Sequence, residues 1–267
     1  MRYARIETED GSQYVAVEDR GGVAFATTIL APPEEDLTVT SYPGKFAERP
    51  LNDCTLLAPV RPSKIVCIGR NYREHAAEFG NDPPKEPLLF LKAPSALLAP
   101  GEKIVLPPQS RRVDYEAELG VVIGRTCSQL ADNADVRPYI RGYVCVNDVT
   151  ARDLQKSDGQ WSRAKGFDTF CPVGPWVTDE VDPAEGLNVA THVNGELKQH
   201  GNTRDLIFDV PKLIRYISQA MTLFPGDLIP TGTPAGVSPI ADGDVVRVSV
   251  DGCGILENAV ISGRKSI

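Results

Sequence analysis

Residues 113–124 read VDYEAELGVVIG. The apolar residues at both ends of this stretch predict a strand that is buried on both faces. Two carboxylates interrupt it, Glu116 and Glu118, and both point to the same face because side chains alternate along a strand, roughly 7 Å apart. Like charges in an apolar strand repel each other and lose hydration. The pattern therefore predicts a partner that neutralises them.

A third carboxylate follows a second apolar strand, in GYVCVNDVTARDLQ at 142–155. Asp148 lies where the chain leaves the sheet, so its side chain is expected at the rim. With Glu116 and Glu118 it would offer three hard oxygen ligands, which suit Mg²⁺, Mn²⁺ or Ca²⁺. Zinc is disfavoured because no His or Cys lies nearby at ligand spacing. From the pattern alone, a solvated outer face of the strand remains an alternative.

The segment GRNYREHAAE contains a possible acid–base pair, His75 and Glu78, on one side of a predicted helix. A carboxylate beside an imidazole fixes its tautomer and raises its basicity, which suits a general base. An incidental pair on a surface helix is the alternative. Three residues directly before the pair could receive a carboxylate: Arg70, Asn71 and Tyr72. Lys165, in WSRAKGFDTFCPVGP, is either a surface charge or a partly desolvated lysine aimed at an anion.

Composition narrows the class of protein. The chain has 267 residues and a net charge of −8, which argues against nucleic acid as a partner. No apolar run reaches the ~18–20 residues of a membrane helix, and no secretory signal is recognisable. The six cysteines form no CxxC pair, so we expect free thiols in a reducing cytoplasm. An acidic protein that handles an anion needs a local cation.

The pattern of elements predicts an α+β, β-rich fold with few helices, and not a Rossmann sheet. Residues 1–55 are expected to form a small N-terminal β unit that includes a linker. Turn signals lie at Asp10-Gly11 and Gly21-Gly22, and the composition turns to the Pro, Glu, Asp and Ser of a linker or surface wrap from Ala31 to Pro62. Residues 56–267 are expected to form the catalytic domain. The segment GNDPPKEP at 80–87 predicts a loop or lid.

Seven motifs occur in order along residues 60–262: GRNYREHAAE, FLKAPSAL, DYEAELGVVIG, VNDVTARDLQ, AKGFDTFCPVGP, VNGE and GDLIPTGTPAGV. In this order they resemble the fumarylacetoacetate hydrolase family. The resemblance implies a rolled mixed β-sheet, a homodimer and a divalent metal, Mg²⁺ or Mn²⁺ with Ca²⁺ as a further option. The implied metal ligands are Glu116, Glu118 and Asp148. The implied catalytic residues are His75, Glu78, Lys165 and Gln155, the implied substrate contacts are Arg70, Tyr72, Arg152 and Thr233, and residues 78–87 are the implied lid.

The resemblance also implies a substrate class, small anionic 2-oxo acids or their enols. The first expectation is hydrolysis of a C–C bond or decarboxylation. The substrate would be of the acylpyruvate or oxaloacetate type, and the reaction would pass through an enolate that the metal stabilises. The alternative is isomerisation of a hydroxymuconate-type or 2-hydroxyhepta-2,4-diene-1,7-dioate substrate, or tautomerisation of oxaloacetate. A protein that binds metal and 2-oxo acid without turnover is the third.

Overall fold

The computed structural model describes residues 1–31, 46–78, 80 and 82–263. Part of the predicted linker and part of the predicted loop over 80–87 therefore lie outside the described residues, and the described part of that loop has no regular element. Within these ranges, no helix has the length and apolar character needed to cross a membrane.

Nineteen strands and four α-helices make up the described chain. The first ten strands are β1 Arg2–Thr8, β2 Gly11–Arg20, β3 Val23–Leu30, β4 Arg49–Pro50, β5 Leu56–Leu57, β6 Ile65–Gly69, β7 Leu88–Lys92, β8 Leu97–Leu98, β9 Lys103–Leu106 and β10 Val113–Asp114. The remaining strands are β11 Ala117–Ile123, β12 Ile140–Asn147, β13 Thr150–Ala151, β14 Cys171–Thr178, β15 Asn188–Val193, β16 Glu196–Asn202, β17 Leu228–Pro230, β18 Val245–Val250 and β19 Gly254–Ser262. The helices are α1 Arg73–Glu78, α2 Arg152–Asp158, α3 Ser162–Gly166 and α4 Val210–Ala220.

Two mixed sheets form the body of the protein. The larger runs in the order β4-β3-β2-β1-β14-β12-β11-β17-β6-β7, with β5 beside β1 and β8 beside β14. The smaller has the order β16-β15-β18-β19-β9. Strands β11, β12 and β14 of the larger sheet pack against β15, β18 and β19 of the smaller one, and apolar side chains fill the space between them. The predicted β-rich α+β class is confirmed.

Local sequence signals account for several of these elements. Asn194 and Gly195 join β15 to β16 with φ values of 52° and 84°, the two positive values that a tight hairpin turn requires. Helix α4 begins after Asp209, whose carboxylate accepts a hydrogen bond from the N–H of Lys212 at 2.8 Å. All six cysteines are free thiols, as expected, and Cys54 is the only one of them that is not buried.

The N-terminal strands β1–β3 form the antiparallel meander that their turn signals predict. Strand β1 also pairs with β14 and β5, so this meander extends the larger sheet. The division of the chain at residue 55 stays a prediction.

One expectation about the opening stretch is wrong in detail. The predicted strand over 113–124 is two strands, β10 and β11, interrupted at residues 115–116. The interruption has a tertiary cause: the N–H of Glu116 donates to the side-chain oxygen of Asn147 at 2.9 Å, in place of a carbonyl of the neighbouring strand. Burial on both faces is confirmed, because every residue of β11 is buried.

Candidate active site

One cavity of about 460 Å³ brings together most of the predicted site residues. Nine of the eleven line it, and the two that do not are Glu78 and Tyr72. Its walls are formed by Ile68, Gly69, Arg70, His75, Phe90, Glu116, Glu118, Asp148, Arg152, Gln155, Lys156, Trp161, Lys165 and Thr233. The sequence motifs that contribute these residues are far apart in the chain, so the cavity is a product of the tertiary fold.

The three carboxylates meet where the chain passes from β10 to β11, beside the residues between β12 and β13. Glu116 lies in the break between β10 and β11, Glu118 lies in β11, and Asp148 directly follows β12. The N–H of Asp148 donates to the carbonyl of Glu116 at 2.8 Å, which fixes the two backbones against each other. One oxygen from each carboxylate lies within 4.8 Å of those of the other two, and all three side chains are buried.

The protein itself neutralises part of this charge. The Lys165 ammonium bridges two carboxylates, with 2.8 Å to Glu116 Oε2 and 2.6 Å to Asp148 Oδ2. Arg152 Nη2 donates to Glu116 Oε1 at 2.5 Å. Burial alone would raise the pKa of Glu116, but these two cations outweigh it and hold the pKa below its ordinary value. Burial would likewise lower the pKa of Lys165, and the adjacent carboxylates raise it instead.

Glu118 is in a different electrostatic environment. Among the described residues it has no salt-bridge partner, and its Oε2 accepts a single hydrogen bond, from the N–H of Gly232 at 2.7 Å. Burial, followed by the charges of Asp148 and Glu116, raises the pKa of Glu118 well above its ordinary value. Of the three carboxylates, Glu118 therefore has the greatest need for a further cation.

The predicted acid–base pair is formed in α1. His75 Nδ1 lies 3.1 Å from Glu78 Oε2, and the other oxygen of Glu78 accepts from the N–H of Gly236 at 3.1 Å. A carboxylate at Nδ1 assigns the proton to that nitrogen, which leaves Nε2 as the basic one. His75 lines the cavity, and Glu78 lies behind it and orients it.

The other predicted residues differ in what they can offer. Gln155 Oε1 accepts from Arg152 Nη1 at 2.8 Å, so its NH₂ group is the part that can donate to a ligand. Arg152 also donates to Asp114 at 2.8 Å, so several of its donors serve protein groups. Thr233 Oγ1 lines the cavity and accepts from Gln199 Nε2 at 2.8 Å.

Arg70 and Tyr72 are adjacent in the chain but lie in different environments. Arg70 has a left-handed backbone with φ of 56°, and its side chain lines the cavity. No hydrogen bond or salt bridge joins its guanidinium to the part of the chain that the structure describes. Tyr72 is buried and does not line the cavity, and its hydroxyl has no hydrogen-bond partner in the described ranges. The geometry therefore gives no support to the predicted contact between Tyr72 and the substrate.

Sequence reasoning missed Lys92. It ends β7, its side chain is fully buried, and its ammonium donates to Asp148 Oδ1 at 2.6 Å and to the carbonyl of Val149 at 3.2 Å. The signal was present in FLKAPSAL, because a lysine at the end of an apolar strand raises the same question as two glutamates inside one. Lys92 and Lys165 together bind both oxygens of Asp148.

The donor set fits a divalent metal ion. Carboxylate oxygens are the ligands that hard cations of this class prefer, and three of them converge here in a buried cluster. The raised pKa of Glu118 identifies a carboxylate that an additional cation would stabilise in its ionised form. Glu116, Glu118 and Asp148 would hold such an ion.

The sequence and the fold match one protein family. The family model described as fumarylacetoacetate (FAA) hydrolase C-terminal matches residues 64–261. A crystal structure described as 2-hydroxyhepta-2,4-diene-1,7-dioate isomerase from Mycobacterium marinum is 44% identical to this chain, covers 99% of it and 100% of its own length, and has a TM-score of 0.87.

Two further relatives carry other activities in their names. A mitochondrial oxaloacetate tautomerase of Bos taurus is 41% identical over 79% of this chain and 71% of its own length. A fumarylpyruvate hydrolase from Pseudomonas aeruginosa, crystallised with Mn²⁺ and pyruvate, is 32% identical, covers 77% of this chain and 91% of its own, and has a TM-score of 0.71.

Proposed function

This chain belongs to the fumarylacetoacetate hydrolase family, and we propose that it is a divalent-metal-dependent enzyme that moves a proton at the carbon next to the keto group of a small 2-oxo acid. The observation that carries the proposal is the position of His75. An imidazole oriented by Glu78 at 3.1 Å lines the same cavity as the three buried carboxylates.

The residues divide the chemistry among them. A divalent ion held by Glu116, Glu118 and Asp148 would act as a Lewis acid that polarises the keto oxygen of the substrate. His75 Nε2 would take the proton from the adjacent carbon, and the electron pair of the broken C–H bond would move toward that oxygen. Isomerisation, decarboxylation and C–C hydrolysis share the movement of an electron pair toward the keto oxygen. The pair comes from the C–H bond in isomerisation, from the bond to the departing CO₂ in decarboxylation, and from the cleaved C–C bond in hydrolysis.

Two side chains are suited to stabilise the charge that develops on oxygen. The Lys165 ammonium uses two N–H donors on carboxylates, which leaves a third for the substrate, and its side chain is only 3% exposed. Desolvation strengthens such an interaction in the transition state. The NH₂ of Gln155 supplies a neutral donor from α2. Arg70, without a protein partner among the described residues, is suited to the substrate carboxylate.

Return of the proton to a different carbon, or to the enol oxygen, makes the enzyme an isomerase or tautomerase of a 2-oxo acid. The isomerase from M. marinum and the tautomerase of B. taurus support this version. Hydrolysis of an acylpyruvate is the second candidate, in which His75 activates a water, and the fumarylpyruvate hydrolase supports it. Decarboxylation of oxaloacetate uses the same residues. The predicted homodimer and the predicted lid at 78–87 remain part of the proposal.

The test is turnover by protein stripped of metal with a chelator and then supplied with Mg²⁺ or Mn²⁺. The substrates are oxaloacetate, acetylpyruvate and a hydroxymuconate analogue, followed separately by loss of enol absorbance, CO₂ release and C–C cleavage. Loss of absorbance without cleavage, restored by metal, supports the isomerase or tautomerase. Metal-dependent cleavage selects the hydrolase, and metal-dependent CO₂ release the decarboxylase.

A matched variant identifies the base. His75→Gln should lower turnover by about 10²–10⁴-fold, the range that a positioned base supplies, while Mn²⁺ still binds. If His75→Gln retains full turnover in saturating metal, proton transfer by His75 is refuted, and if no reaction on any substrate responds to metal, the proposed enzyme class is refuted for these substrates.

A further inference from the structure

Each carboxylate of the cluster has one oxygen that a donor from outside the cluster already occupies. The three donor–acceptor pairs are Arg152 Nη2 to Glu116 Oε1 at 2.5 Å, the Gly232 N–H to Glu118 Oε2 at 2.7 Å, and Lys92 Nζ to Asp148 Oδ1 at 2.6 Å. The second oxygens of Glu116 and Asp148 both accept from Lys165, which lines the cavity. The second oxygen of Glu118 has no hydrogen-bond donor among the described residues.

Lys92 differs from Lys165 because it cannot reach a substrate. Its side chain has no exposed surface and does not line the cavity. A second hydrogen bond, to the carbonyl of Val149 at 3.2 Å, holds the ammonium on the far side of Asp148. Both acceptors belong to consecutive residues that directly follow β12, and Lys92 ends β7, so these hydrogen bonds join the ends of two strands that are not neighbours in the sheet.

We infer that Lys92 is a positioning residue that restricts Asp148 to one metal-binding oxygen, and that this restriction makes the site select Mg²⁺ or Mn²⁺ against Ca²⁺. The inference rests on the metal site of the proposed function. Lys92 holds Asp148 Oδ1 from a buried position outside the cavity lining. Oδ2 accepts from Lys165, which lines the cavity and can turn toward a bound ligand, so Oδ2 is the oxygen that would face an ion. Arg152 and the Gly232 N–H impose the same limit on the two glutamates.

Coordination chemistry connects this limit to the choice of ion. Mg²⁺ takes six ligands in near-ideal octahedral geometry and keeps several waters, whereas Ca²⁺ takes six to eight oxygens and often binds carboxylates through both oxygens. Three single oxygens leave three of six positions for water or for a 2-oxo acid. Such a site satisfies Mg²⁺ and Mn²⁺, and it denies Ca²⁺ the two-oxygen contacts that would raise its coordination number.

The test measures metal binding without turnover. Chelator-stripped protein is titrated with Mn²⁺, free Mn²⁺ is followed by its electron paramagnetic resonance signal, and Mg²⁺ and Ca²⁺ are added as competitors. The readout is the ratio of the Kd for Ca²⁺ to the Kd for Mg²⁺. The loss of the lysine charge affects two divalent ions alike, so it cancels in this ratio, and only a change in ligand geometry remains.

We expect Lys92→Met to lower this ratio by about 10-fold, at the lower end of the effect of removing the partner of a metal ligand. Lys92→Arg, which restores a donor to Asp148, should keep the ratio closer to that of the wild type. Lys64→Met is the matched control, because Lys64 is also paired with a buried aspartate, Asp227, outside the cluster. It should leave the ratio unchanged.

The outcomes separate the inference from the proposed function. A wild-type protein that binds no divalent ion refutes the metal site and the inference with it. A wild type that binds Mn²⁺, with the same ratio in Lys92→Met, refutes the inference alone. Should Lys92→Met fail to fold, Arg152→Gln, which frees an oxygen of Glu116, must lower the ratio, and an unchanged ratio there also refutes the inference.

Discussion

Glu118→Gln should stabilise the metal-free protein, although it replaces a buried site residue. The ordinary pKa of this carboxyl is 4.5, and burial beside Asp148 and Glu116 raises the pKa well above that value in the folded chain. A raised folded-state pKa means that the native state holds its proton more tightly than the unfolded state. Native stability is therefore fully present below pH 4.5 and is lost as the pH rises toward the folded-state pKa.

The size of the effect follows from linkage. Within that pH window, wild type loses about 1.4 kcal/mol of unfolding free energy per pH unit relative to a variant that does not titrate. Gln is nearly isosteric, and its amide oxygen can still accept from the N–H of Gly232. With an unfolding entropy of about 2.1 cal/mol/K per residue, one pH unit corresponds to a Tm difference of about 2.5 °C for this chain.

The assay is thermal unfolding of chelator-stripped wild type and Glu118→Gln between pH 4.5 and 8, with Tm plotted against pH. The two curves should coincide at the acidic end and then separate, with the variant the more stable. Mn²⁺ at 100 times its Kd adds about 2.7 kcal/mol to wild type and little to the variant. It should therefore reverse the order wherever the two metal-free curves lie less than about two pH units' worth of stability apart, and narrow the gap elsewhere.

The control variant is Asp148→Asn, whose charge faces the ammonium groups of Lys92 and Lys165 at 2.6 Å each. Removing one partner of a buried ion pair costs about 3–5 kcal/mol, so this variant should unfold earlier at neutral pH. Parallel Tm curves for wild type and Glu118→Gln, or a variant that is less stable throughout, would refute the assignment of Glu118 as the carboxylate without a counter-charge.

Three further predictions test the site and the fold. Glu78→Gln should lower kcat by about 10-fold or more, since the base loses its anionic partner, while Mn²⁺ affinity stays unchanged in the paramagnetic titration. Native protein should expose little thiol to a disulfide reagent at pH 8, because burial raises the pKa of Cys171 to about 12; rapid modification of more than the partly buried Cys54 would contradict this. Gly120→Ala should lower the unfolding free energy by about 1–3 kcal/mol, as its Cβ would lie 2.6 Å from Val146 Cγ2; Gly166→Ala, with 3.9 Å of space, is the control in denaturant unfolding.

Patterns within a few residues predicted much of the architecture. The hairpin at Asn194-Gly195 and the meander of β1–β3 were recognisable because turn residues and alternation act locally. The pair His75 and Glu78 was recognisable because residues three apart share a helix face. The break at Glu116 was not recognisable, because it depends on a side chain 31 residues away, that of Asn147.

In the candidate active site, too, some features could be predicted from the local sequence and others depended on contacts between distant residues. Its carboxylates could be identified from VDYEAELG and VNDVT, because a charged residue inside an apolar strand is conspicuous in the sequence. Their counter-charges could not be assigned, because the lysines that reach Asp148 lie 56 and 17 residues from it along the chain. The amino-acid sequence thus determined which groups need neutralising. Only the tertiary arrangement of β7, α3 and the residues after β12 determined which cation meets which oxygen, because an ion pair depends on distance in space and not on separation along the chain.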